Sequence, residues 1–114
     1  MRSDTLDLLE DMQRYIQFAQ QFVADLNIDG FRNDVRTTLA VIRCLEVISE
    51  ASRRLPQDLK DRHPSLPWKN IAGAGNVYRH DYAEVAPVRV WETVHAALPA
   101  LLAVVTEEIE RASH

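Results

Sequence analysis

The sequence predicts an all-α protein, an antiparallel bundle of three long helices with one or two short ones. Three observations carry that reading. Apolar residues recur at spacings of three and four over three long stretches. Glycines number only three, Gly30, Gly73 and Gly75, whereas an all-β domain needs many turns. Hydrophobic residues make up 46% of the chain and charged residues 26%, too apolar for a disordered segment. At 114 residues the chain is expected to form one domain over 1–114.

The first helix is expected from about Asp4 to about Leu26. Its stripe is Leu6, Leu9, Met12, Ile16, Ala19, Val23 and Leu26. Asp4 is the candidate N-cap, and Asp7 places a carboxylate in the first turn. A second stripe, Leu8, Tyr15, Phe18 and Phe22, lies on a neighbouring face. Either a second protein covers it, or this helix is central and wrapped by its own chain. NIDGF, residues 27–31, reads as turn chemistry. The second long helix is expected from Asn33 or Asp34 to about Arg54. Its stripe is Val35, Leu39, Ile42, Leu45 and Ile48, widened by Val41, Cys44, Val47 and Ala51. Cys44 inside that face is a buried thiol rather than a nucleophile. Glu46 and Glu50 with Arg43 and Arg53 read as helix-surface ion pairs.

Pro56, Pro64 and Pro67 divide the next stretch. Pro56 opens a single helical turn through Arg62. HPSLPW is a loop that delivers Trp68 to the core. A helix then starts near Pro67 or Trp68 and carries WKNIAGAGNVYRHDY. Gly73 and Gly75 each cost it about 1 kcal/mol against alanine, which close approach of another backbone would offset. The last helix is expected from Ala86 or Pro87, with the stripe Val88, Trp91, Val94, Leu98, Leu101, Val105 and Ile109. Pro99 should kink it near Leu98. Glu107, Glu108 and Glu110 read as a solvated tail face.

One cysteine excludes an intramolecular disulfide and a multi-cysteine zinc site. No apolar run approaches the ~20 residues that span a bilayer. The N-terminus carries acids where a signal peptide has its apolar core, so a cytoplasmic protein with no membrane partner is expected. The total charge of −4 argues against a general nucleic-acid coat protein. The charge is unevenly spread. Residues 1–50 hold nine acids and five bases, and residues 81–114 hold six acids and two bases. Residues 51–80 hold six bases and two acids, net +4, with His63 and His80 among them. A local anion site in the middle third is therefore open, although a solvated face produces the same count.

IAGAGNVYRHDYAEV, residues 71–85, is the informative segment. On a helix Asn76, Arg79 and His80 fall within one turn, with Tyr82 two residues on. A histidine can move protons at neutral pH, and an arginine can hold a phosphate by two hydrogen bonds. That pairing suits RNA phosphodiester cleavage: His80 serves the 2′-hydroxyl or the leaving oxygen, and an arginine stabilises phosphate charge. A helix histidine that is merely a hydrogen-bonder has the same spacing. His63 reads as a loop residue and His95 as a satisfied packing histidine. Trp68 and Trp91 read as core. Arg53, Arg54 and Arg62 either extend a basic surface or are simply solvated. His80, Asp81 and Glu84 are too sparse for a metal set, so no metal is expected.

The order of elements and this segment resemble the HepT-like HEPN proteins, the toxin half of HepT–MntA toxin–antitoxin pairs. The resemblance covers nearly the whole chain, through FRNDVRTTLAVIRCLEVISEA, PWKNIAGAGNVYRHDY and WETVHAALPALLAVV. Its most specific part is the string PW-x-x-IAG-x-x-N-x-x-x-H-x-Y. The resemblance implies a HEPN-like bundle forming a two-fold homodimer. It implies an endoribonuclease needing no metal or cofactor, built on an Arg-x(4–6)-His motif followed by x-Tyr. Two copies of that motif would meet across the dimer interface. It also implies an MntA-like minimal nucleotidyltransferase partner that neutralises the toxin, in some systems by adding AMP to the motif tyrosine.

Carried over, the histidine is His80, the tyrosine is Tyr82 and the asparagine is Asn76. The arginine position is Gly75, and no arginine or lysine lies four to seven residues before His80. The nearest arginine, Arg79, points about 100° away from its neighbour on a helix. It could serve across a two-fold axis, giving a composite site with His80 of one subunit and Arg79 of the other. Asn76 and Tyr82 would position the substrate, and Tyr82 would accept AMP. The alternative is a non-catalytic HEPN subunit that binds a nucleotidyltransferase or a nucleotide without cutting RNA. A helical adaptor with no anion site is the third reading.

Overall fold

The computed structural model describes residues 3–80 and 85–113, with the side chains of 75–86 outside the description. Every regular element among the described residues is helical. In chain order these are α1 (Asp4–Val23), α2 (Ile28–Arg32), α3 (Val35–Arg54), α4 (Gln57–Asp61), α5 (Trp68–His80), α6 (Val85–Glu92) and α7 (Leu98–Ala112). A π-helical turn, Thr93–Ala97, joins α6 to α7.

Helix α1 begins where Ser3, not Asp4, accepts the amide of Leu6 through its hydroxyl at 3.1 Å. Asp4 and Asp7 both stand in the first turn, favourable to the helix dipole. The helix stops at Val23, short of Leu26. NIDGF is more than a turn. Asn27 caps α2 through the amide of Gly30 at 2.8 Å, and Phe31 is fully buried. That buried ring, 5.5 Å from Trp91, gives a five-residue helix a tertiary reason to exist. Asp34 caps α3 by accepting from both the amide and the hydroxyl of Thr37, at 3.0 and 2.7 Å. Those hydrogen bonds hold its carboxyl below the ordinary range.

The buried face of α3 is Thr38, Val41, Cys44, Leu45, Ile48, Ser49, Ala51 and Ser52. Val35 and Leu39, expected inside, are 68% and 61% exposed. The hydroxyls make that rotation tolerable: Thr38 donates to the carbonyl of Phe31 and Ser52 to that of Ser49, at 3.0 and 2.7 Å. Burial pushes the Cys44 thiol up to about 11, as befits an inert packing residue.

Helices α1, α3 and α7 pack around one apolar cluster, and α5 packs on α3 with Ile71 and Ala74 against that cluster. α1 contributes Leu9, Met12, Ile16 and Ala19, all essentially sealed from solvent. Val90, Val94, Leu98, Leu101 and Val105 close the core from the last helical run. Pro99 falls in the first turn of α7, and just before it the Leu98 amide bonds to the carbonyl of Thr93, five residues back. The wider turn accommodates a proline that has no amide of its own. The run Pro87–Ala112 is 26 residues and, by length and composition alone, apolar enough to cross a bilayer. The expectation that nothing reaches that length needs this correction, since polar residues interrupt the apolar run without ending the helix. The burial of Val90, Val94, Leu98 and Val105 matches a bundle's core helix.

Of the second stripe on α1, Leu8 is buried and Tyr15 partly so, but Phe18 and Phe22 remain 37% and 42% exposed. Their rings stack at 6.1 Å, and Tyr15 meets Phe18 edge-on at 5.5 Å. The described residues of the chain therefore do not wrap this face.

Candidate functional site

The string PWKNIAGAGNVYRH is the loop end and body of α5, so the first question is what fixes this helix. Its inner side is Ile71 and Ala74, which with Leu45, Ile48, Leu98 and Leu101 enclose a narrow cavity of about 40 Å³. Its start is held by Trp68, whose indole N–H donates to the carbonyl of His63 at 3.0 Å. Trp68 is partly buried, as expected of HPSLPW.

His63 is itself pinned. Its Nε2 lies 2.6 Å from Oε2 of Glu108, and Arg62 grips the same carboxylate with Nη2 and Nε, at 2.6 and 3.2 Å. Glu108 is only 2% exposed. The hydrogen bonds from Arg62, ahead of the opposing burial and the His63 contact, pull its carboxyl down to about 2. The solvated tail face expected for Glu108 is thus wrong, and Arg62 and His63 are more than loop decoration. The chain contained a signal for this. Leu101, Val105 and Glu108 continue one spacing of four and three, putting a carboxylate on the buried stripe. His95 is satisfied but exposed: its Nδ1 lies 2.8 Å from the carbonyl of Trp91, and the two rings sit 4.1 Å apart.

Position on α5 follows from 100° per residue. His80 falls about 180° from Ile71 and about 120° from Ala74, and Asn76 about 140° and 160° from them. By spacing, both positions fall on the side of the helix away from Ile71. Lys69, exposed, and Gly73 share it. A Cβ added at Gly73 would meet nothing within 4 Å among the described residues. The side chains of Asn76, Arg79 and His80, and all of Tyr82, lie outside the described residues; only the helical backbone of the first three is given.

Two further features adjoin α5. Arg53, from the last turn of α3, donates through Nη1 to the carbonyl of Ala72 at 2.5 Å. A cleft of about 390 Å³ opens between α5 and the α6–π segment, lined by Pro67, Asn70, Ile71, Ala74, Arg89 and Glu92 among others. It lies against the inner flank of α5. Among the described residues no three His, Cys, Asp or Glu side chains gather for a metal.

The described residues form an all-helical bundle in which the string PWKNIAGAGNVYRH runs from the loop into α5. The chain belongs to the HepT-like ribonuclease family, whose model matches residues 12–108. A Thermococcus cleftensis protein named "Probable ribonuclease HepT" is 36% identical over 101 residues, 89% of this chain and 92% of its own length. A Methanocaldococcus jannaschii protein provisionally named an RNase is 34% identical over 100 residues, 88% of this chain and 86% of its own. A Caldanaerobacter subterraneus protein named in the same way is 32% identical over 103 residues, covering 90% and 92%. No solved structure matches the chain significantly.

Proposed function

We propose that this protein is a metal-independent endoribonuclease and the toxin of a HepT–MntA-type pair. The observation that carries the reading is the outward face of α5, where the family string places Asn76 and His80 on a helix whose inner side is locked into the core. His80 takes the proton from the 2′-hydroxyl or returns one to the leaving oxygen. Arg79 of the opposing subunit binds the charged phosphate, because Gly75 leaves the usual arginine position empty. Asn76 and Tyr82 position the substrate. A homodimer brings the two strips together, and the uncovered rings of Phe18 and Phe22 support assembly.

The partner in this reading is an MntA-like minimal nucleotidyltransferase. AMP on Tyr82 places a bulky anion two residues from His80, which competes for Arg79 and repels RNA phosphate. The test is incubation of the purified protein with RNA in the presence of a chelator. Cleavage that persists there and disappears in both His80→Ala and Arg79→Ala is expected. Cleavage surviving Arg79→Ala counts against the composite site, and an unmodified Tyr82 peptide after co-expression with the partner counts against AMP transfer. Gly75 favours one second reading, a non-catalytic subunit that binds the nucleotidyltransferase or a nucleotide. Intact RNA under all conditions selects it.

A further inference from the structure

We infer that Arg53, with Lys69, forms a binding site for a backbone phosphate of RNA beside the outward strip of α5. The inference rests on the RNA-cleaving reading and extends it to how the strand is held. Arg53 belongs to α3, yet its guanidinium reaches across to the Ala72 carbonyl at 2.5 Å. That bond uses one of five guanidinium donors and fixes the plane of the group, a preorganisation that suits phosphate. Lys69 stands three residues before Ala72, about 4.5 Å along the axis, and is exposed. On the Lys69 side of the helix Gly73 carries no side chain, and a Cβ added there would meet nothing within 4 Å among the described residues.

The distance assigns the role. His80 lies eight residues beyond Ala72, about 12 Å along the helix. A phosphate on Arg53 is therefore about two nucleotides from the one being cleaved, and Arg53 is a substrate-binding residue without a part in proton transfer. The same stretch, residues 51–80, holds the chain's excess of positive charge, net +4 within a protein of net −4. Binding at few phosphates rather than many is what that uneven distribution permits.

The experiment measures affinity for a fluorescent, non-cleavable 2′-O-methyl RNA across a salt series, beside cleavage of ordinary RNA. The variants are Arg53→Gln, Arg53→Lys and Lys69→Gln. Glutamine ends two bonds short of the guanidinium nitrogens and loses both the charge and the reach to the Ala72 carbonyl, so a purely structural role shows as a lower melting temperature with the salt slope unchanged. The site predicts that Arg53→Gln weakens binding roughly five- to tenfold and lowers the slope of log affinity against log salt by about 0.7. Lys69→Gln, on a solvent-facing side chain, lowers the slope similarly, and Arg53→Lys keeps most of the affinity. In cleavage, KM rises for Arg53→Gln by the factor lost in binding while kcat is retained. Unchanged affinity and slope in both glutamine variants overturns the site and leaves the nuclease reading standing. RNA bound through Arg53 but never cut overturns the nuclease reading and supports the site. A wild type that binds no RNA overturns both.

Discussion

Glu108→Gln removes the anion that Arg62 and His63 share while keeping the side chain's size. The carboxyl lies at about 2 rather than the ordinary 4.5, a difference equivalent to about 3 kcal/mol of native-state stabilisation. Arg62 keeps 38% of its side chain in solvent, and screening lowers the expected loss to about 2 kcal/mol. The sign is that of a depressed carboxylate. The stabilisation is complete above pH 4.5, declines as pH falls through 2, and is absent below. Urea unfolding at fixed protein concentration measures it. With a slope near 2 kcal/mol per molar, the midpoint at pH 7 should fall by about 1 M. The gap between variant and wild type should shrink steadily from pH 5 toward pH 2. A midpoint indistinguishable from wild type at pH 7, or a deficit of the same size at every pH, refutes the buried-lock reasoning.

Gly73→Ala should stabilise α5 by about 1 kcal/mol, since the new methyl meets nothing, yet slow RNA cleavage if the bare strip receives the strand; thermal melts and cleavage rates read the two effects separately. Phe18→Lys with Phe22→Lys should leave the stability of a monomer within about 0.5 kcal/mol and shift sedimentation toward smaller species; unchanged association places the interface elsewhere. Cys44 should react with a thiol reagent at pH 8 only as fast as the protein opens, and rapidly in urea. Gly75→Arg, restoring the family's spacing, should raise cleavage at least tenfold; no gain removes the arginine position from the mechanism.

Helix existence was legible because three long stripes repeat at three and four, and Leu9, Met12, Ile16, Leu45, Ile48, Leu98, Leu101 and Val105 from those stripes do build the core. Register was less so. Val35 and Leu39 extend the apolar period of α3, but Asp34 and Thr38 fix the start of that helix through hydroxyl and carboxylate bonds, and hydroxyls take the inner positions. NIDGF reads as a turn by composition because Phe31 finds its partner in Trp91, sixty residues away in the chain. The same separation hid the Glu108 lock, whose partners stand 45 and 46 residues earlier. The helix that carries Asn76 and His80 was legible from the sequence, since α5 runs from Trp68 to His80. The approach of Arg53 to that helix was not, since periodicity describes one helix at a time and this contact joins two.

The π turn at Thr93–Ala97 spends five residues where an α turn spends about four. One amino acid is surplus to the geometry there, and either flanking segment can keep its grip on the core without it. Among kindred chains, differences of a single residue in length should therefore collect between Glu92 and Leu98, and a shorter version free of Pro99 should run through as an uninterrupted rod.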